Sequence, residues 1–331
     1  MCNLYNITTN QEAIVRDKAY KREGSRLGQP NGDQEMQSNL VVSAVLAFAL
    51  IAPAHGETDW AAVGQTLGKA GTQGPGGVYR VGLPRSDLKV SLDGVEIKPA
   101  LALGGWLTFK SMNDKDAVVM GDLVLTQPEV NPVMLKLLEN GIEVTALHNH
   151  LLRSEPATMY MHVLGHGDLV KLASSLRAAL QESKTPLSDT SGGATPAPSA
   201  IDLDTTVIDD ALAHKGKVNG GVYQVSIPRA ETIKDGGMDV PEAMGSAIAI
   251  NFQPTGNGKA AITGDFVLIA SEVNPVLRAL RENGIEVTAV HNHMLDDEPR
   301  LFFMHFWATN DVDKLAHGLR KALDKINVSK G

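Results

Sequence analysis

Gly121–His150 reads GDLVLTQPEVNPVMLKLLENGIEVTALHNH, and Gly264–His293 reads GDFVLIASEVNPVLRALRENGIEVTAVHNH. The two align without a gap at about two-thirds identity, which marks one supersecondary unit used twice. Both copies close on His-Asn-His, continue through Glu-Pro (Glu155, Glu298) and reach a further histidine directly after a methionine, His162 and His305. Six of the ten histidines therefore occupy matched places. Agreement between the copies identifies the residues that survived duplication together.

Each unit reads as strand, helix, strand, strand, helix. Val118–Leu125 alternates as a strand, and Asn131-Pro132 reads as the N-cap and first-turn proline of a helix that runs to Asn140 and stops at Gly141. Ile142–His150 is rich in β-formers and predicts the next strand. A loop holding Pro156 turns the chain, Met159–Val163 returns as a strand, and Asp168 caps a helix to about Ser183. Upstream, a helix at Trp60–Lys69 leads into the strand Val78–Leu83, repeated as a helix near Ile208–His214 and the strand Val222–Ile227. Both strands stop at Pro-Arg, as a residue without an amide hydrogen requires. The order predicts an α+β protein, two β-α-β-β-α-containing repeats arranged as a pseudo-twofold pair. The repeats fall at residues 57–182 and 204–328, joined by a Ser/Pro/Gly-rich linker at 183–203.

Residues i and i+2 of a strand share a face, so His148 and His150 project together, as do His291 and His293. A hairpin return brings His162, or His305, to about 5 Å from its opposed neighbours. Three imidazoles with one carboxylate form the donor set of a metal site, zinc being the divalent ion best suited. One such site is expected in each copy: His148, His150 and His162, and His291, His293 and His305. Glu155 and Glu298 are the expected catalytic carboxylates, each a fourth ligand or a general base. The competing reading gives the histidines structural or substrate hydrogen bonds. Asp296 and Asp297 predict a tighter metal site in the second copy, and Tyr160, Phe303 and Trp307 are the expected substrate-facing aromatics. Arg85/Arg229, Asp122/Asp265 and Glu143/Glu286 are matched as well, positions read as turns and solvated edges. The spacing also resembles the first cupin motif, but no second cupin motif follows.

The chain has 331 residues, 43% of them apolar, and a net charge of −8. That length fits two domains. No basic run accompanies the repeats, which excludes a duplex nucleic-acid partner, and His-Asn-His is not read as the nuclease motif of that name. The single cysteine, Cys2, rules out an internal disulfide and a thiolate cluster. Leu40–Ala52 is an apolar run of about 13 residues, too short for a stable membrane span but suited to a secretory signal cleaved near Ala54 or Gly56. The segment 36–56 is thus expected to be a signal peptide, with basic residues lying upstream and either Met1 or Met36 as the start. Met1–Ile14, MCNLYNITTNQEAI, resembles the amino terminus of SRAP proteins, and residues 1–35 are read as an extraneous leader. Fourteen residues cannot build the pocket that an activated thiol needs.

The stretches GGVYRVGLPRSDLKVSLDGVEIKPALALGGW, TALHNHLL and AINFQPTGNGKAAITGDFVL, with HNHMLDDEPRLFFMHFW, resemble the LppY/LpqO family of bacterial exported proteins and lipoproteins, over most of Asp59–Lys325. The resemblance implies an exported, duplicated-domain protein and transfers no catalytic residue. This sequence lacks a cysteine after the signal-like segment, so a periplasmic or secreted form is expected rather than a lipid-anchored one. The function expected from these residues is a metal-dependent hydrolase of small esters or lactones. The alternative is a non-catalytic periplasmic protein that binds metal or an envelope ligand.

Overall fold

The computed structural model describes residues 58–113, 116–187 and 200–331, so the expectations for the leader, the signal segment and most of the linker lie outside the described residues. The first repeat runs α1 (Trp60–Leu67), β1 (Thr72–Gly74), β2 (Val78–Pro84), β3 (Val90–Leu92), β4 (Val95–Ile97), α2 (Pro99–Ala102), β5 (Gly104–Ser111), β6 (Ala117–Thr126), α3 (Gln127–Glu139), β7 (Glu143–His148), β8 (Thr158–Gly167) and α4 (Leu169–Leu180). The second runs α5 (Thr205–Leu212), β9 (Lys217–Asn219), β10 (Val222–Ile227), β11 (Lys234–Asp235), β12 (Met238–Asp239), β13 (Ile248–Gly256), β14 (Lys259–Ile269), α6 (Ala270–Glu282), β15 (Glu286–His291), β16 (Asp297–Glu298), β17 (Leu301–Asp311) and α7 (Val312–Leu323). Each repeat builds a six-stranded sheet, ordered β1-β2-β5-β6-β8-β7 and β9-β10-β13-β14-β17-β15. The α+β class and the paired repeats are as the sequence predicts. Among the described residues no helix is long and apolar enough to cross a membrane.

Strand alternation divides each sheet into two apolar faces. In β6, Val119, Leu123 and Leu125 pack with Val133, Leu137, Leu172 and Leu176 of α3 and α4. The alternate residues Val118 and Met120 join the core of the second repeat, and Val124 packs with Tyr160, Ala261 and Trp307. The two sheets thus bury their inner faces against each other, with helices outside. Polar bonds stitch the seam: Lys98 N to Gln253 Oε1 at 2.9 Å, Gln253 Nε2 to Glu96 O at 2.8 Å, Gln224 Nε2 to Ala100 O at 2.8 Å, and Thr288 Oγ1 to His150 O at 2.5 Å.

Two local expectations are corrected. Helix α3 starts at Gln127, not at Asn131-Pro132, and α6 starts at the matching Ala270. The reason is a carboxylate three residues into each helix: Glu129 accepts from Thr126 N at 2.8 Å, and Glu272 accepts from Ile269 N at 2.9 Å. Pro132 and Pro275 consequently lie inside their helices. Strand β7 ends at His148, so His150 lies past the ladder, and a register shift between Val144 and Ala146 sets Ala146 opposite His162 and His148 opposite Tyr160.

Candidate metal centre

The matched arginines explain how the helix starts are held. Arg85, 1% exposed at the end of β2, donates to Glu129 at 2.8 and 3.1 Å, to Asp87, and to the Val124 carbonyl. Arg229 repeats the arrangement with Glu272, Glu231 and the Val267 carbonyl. These residues are a structural clamp, tying a strand end to the helix N-terminus in each copy.

The six matched histidines converge between the sheets, and they pair across the repeats rather than within them. Ring centroids lie 3.6 Å apart for His148 and His291, 3.8 Å for His150 and His305, and 3.7 Å for His162 and His293. The outer faces are closed by matched aromatic rings, Tyr160 on His150 at 3.4 Å and Phe303 on His293 at 3.5 Å. The Nε2 atom of every one of the six is buried and has no hydrogen-bond partner within the protein. Where Nδ1 has a partner, it is a backbone carbonyl: Gly264 for His305 at 2.9 Å, Asn149 for His148 and Asn292 for His291. A ring that donates from Nδ1 presents a lone pair at Nε2, the tautomer that a metal requires.

Electrostatics hold these rings uncharged. Burial, reinforced for His148 by His291, brings His148 down to about 3, and burial brings His291 down to about 4. His150, His162, His293 and His305 are lowered well below the usual histidine range by burial and by their neighbouring imidazoles. Six acceptors facing one another without a donor are costly in an apolar interior, and a cation would satisfy them. Two groups of three have ligand atoms all within 4.8 Å of one another: His148, His291 and His305, and His148, His162 and His293. Each draws on both copies, so the expectation of one site per copy is corrected. Its reason is the sheet-on-sheet packing, which sequence alternation cannot express. With it falls the expectation that the second copy holds its own, tighter site. Asp296 is exposed, and Asp297 bonds to Arg300 at 2.8 Å and to Leu301 N at 2.5 Å.

Glu155 and Glu298 are exposed, and neither belongs to a candidate metal group, so the structure does not bring them in as fourth ligands. Their backbones explain the match: Glu155 pairs with Ser91, and Glu298 pairs with Lys234 of β11. The expected substrate aromatics, by contrast, are buried. Tyr160 donates to Ala102 O at 2.7 Å, Phe303 is fully buried, and Trp307, 3% exposed, donates from Nε1 to Asp93 at 3.1 Å.

The carboxylates that do approach the histidines are Asp122 and Asp265. Asp122 stands opposite His162 in the β6–β8 ladder, its Oδ1 3.8 Å from His162 Nε2, buried and otherwise unpartnered. Asp265 stands opposite His305 and accepts from Ala249 N at 3.2 Å. Burial, then the neighbouring Asp265, pushes Asp122 up to about 8 against the pull of Arg80, and burial pushes Asp265 up to about 7. The signal for both was present in the sequence as a Gly-Asp at a fixed offset from His-Asn-His. A small pocket of about 20 Å³ reaches this centre from one side, where Trp106, Met120, His162, His293 and Met294 line it.

The family profile described as "Domain of Unknown Function (DUF1259)" matches residues 61–182 and again 206–325. The chain belongs to this family. Its histidine centre therefore lies between two DUF1259 domains, each supplying three imidazoles and one aspartate. No curated protein matches the chain. Among solved structures, a trimeric bacterial microcompartment shell protein, PduB, aligns over 77% of this DUF1259 chain and 89% of its own, at 10% identity and a TM-score of 0.22.

Proposed function

We propose that this protein is a metal-binding protein whose single centre is shared by its two domains, with His148, His162 and His293 as ligands. The observation that carries the reading is the set of six buried Nε2 atoms without a hydrogen-bond partner in the protein. Both candidate groups use His148, and one lone pair serves one ion, so the two groups are alternatives and one ion per chain is expected. Elemental analysis of purified protein tests this: near-stoichiometric transition metal in the wild type, and none in His148→Ala. Metal-free protein of full stability, or unchanged metal content in the variant, removes the proposal.

Hydrolysis of small esters or lactones is a second reading, favoured by the pocket that reaches His162 beside Asp122. A bound divalent ion would supply a Lewis acid there. Asp122 would hold or take a proton at Oδ1, and the apolar wall of Met120 and Trp106 would exclude water. Turnover that survives chelation, or that Asp122→Asn leaves unchanged, counts against it.

An envelope location belongs to the same reading. It is supported by the signal-like run Leu40–Ala52 and by the resemblance to LppY/LpqO proteins. Sequencing the mature amino terminus from a periplasmic fraction tests it; a terminus upstream of Leu40 would refute it.

A further inference from the structure

The pocket beside His162 and His293 carries a donor chemistry that the histidine centre alone does not explain. Met120 from β6, Met244 from the turn at Glu242–Met244 and Met294, directly after His293, line the same opening as those two imidazoles. Buried methionines are ordinarily gap-fillers, which suffices for Met161 and Met304; Met120, Met244 and Met294 also pack into the core that holds Met304. These three differ in sharing one cavity with two buried nitrogen atoms that have no partner.

Donor type points the same way. Among the residues lining the pocket one carboxylate appears, Asp235, which already accepts from Asp296 N at 3.2 Å, while Asp122 lies outside that lining with its Oδ1 3.8 Å from His162 Nε2. On the opposite wall Trp106 is covered by the Arg80 guanidinium, 4.1 Å from the ring centroid. Hard divalent ions such as calcium and magnesium need oxygen donors. Burying a cation costs more as its charge rises. Nitrogen and thioether donors together suit a soft, singly charged ion.

We infer that this pocket is a port for copper(I), in which the thioethers of Met120, Met244 and Met294 receive the ion and pass it to His162 and His293. The inference rests on the proposed metal-binding function and specifies the ion for that site.

The test is competition for copper(I) against a chromophoric copper(I) chelator under ascorbate, run alongside cobalt(II) titration followed by its visible absorption. The variant Met120→Leu/Met244→Leu/Met294→Leu conserves volume. Wild type is expected to withdraw copper(I) from the chelator, and the variant to hold it about 10–100-fold more weakly, the range for loss of groups supporting a metal site, while cobalt(II) binding changes less than twofold. Copper(I) affinity equal in wild type and variant overturns the port and leaves the histidine centre standing. Failure of both metals to bind overturns the centre and the port together. Should the variant not fold, X-ray absorption of copper(I)-loaded wild type decides: a sulfur shell supports the inference, and nitrogen ligands alone refute it.

Discussion

Arg85 and Glu129 illustrate how much a single matched pair can carry. The guanidinium is 1% exposed and is shared between Glu129, Asp87 and a carbonyl, so losing Glu129 leaves Asp87 as its remaining charged partner. Glu129→Gln is expected to cost about 1.5–3 kcal/mol in urea unfolding at pH 7. Burial acts to raise the Glu129 carboxyl, but the hydrogen bonds from Arg85, Thr126 and Lys184 outweigh it and lower it below the usual range. A depressed folded value means that the stabilisation is present above the unfolded value of about 4.5 and is lost as pH falls through the folded one. The gap between wild type and Glu129→Gln should therefore narrow below about pH 4.5. A gap that stays constant to pH 3 would show that the carboxylate charge contributes nothing.

Where strands cross, the Gly of the matched Gly-Asp has its own reason. A Cβ on Gly264 would stand 1.9 Å from the Ala249 carbonyl oxygen in β13, and one on Gly121 would stand 2.8 Å from the Trp106 oxygen in β5. Both neighbours are backbone and cannot swing aside. Gly264→Ala should destabilise by at least about 1–3 kcal/mol, the range for overpacking. Gly82→Ala in β2 meets nothing within 4 Å and should be neutral or stabilise by about 0.5–1 kcal/mol, by stiffening the unfolded chain. Thermal melts of the two variants check this; equal shifts would mean that close approach of β13 does not set the choice of glycine. The Gly-Asp pair was legible in the sequence as a match between copies. Its role was not, because the clash lies with a strand more than a dozen residues away in sequence.

On the scale of the molecule, the centre exists only because the copies face each other. His162 belongs to the first copy and His293 to the second, yet their rings stack at 3.7 Å and share one candidate group. His162→Ala and His293→Ala should each abolish the same metal equivalent, and the double variant should lose no more than either single one, since residues acting as one unit are not additive. Independent sites in each copy would instead give two partial losses that sum. His150, outside both groups, should tolerate replacement by alanine with metal retained. Chelation should lower the melting temperature of wild type but not of His148→Ala, because an ion bound only to the folded state stabilises by mass action. Isothermal titration and melts with and without chelator read these outcomes directly.

By itself the sequence determined the repeat, the strand and helix order, the α+β class and the set of six histidines, because each follows from periodicity and from a match along the chain. It also contained Asp122 and Asp265, but as a matched Gly-Asp read as a turn or solvated edge. Tertiary structure alone decided which histidines come within reach of one ion, which carboxylate reaches them and which face is open. The physical reason is that alternation specifies the side of a sheet to which a residue points, and nothing local specifies what that side meets. His148 projects from the inner face of its sheet in either case; packing of the second sheet against the first sets His291 and His293 before it. The exposed Glu155 and Glu298 show the converse, for they are matched through backbone pairing with Ser91 and Lys234, a constraint that leaves no mark on side-chain chemistry.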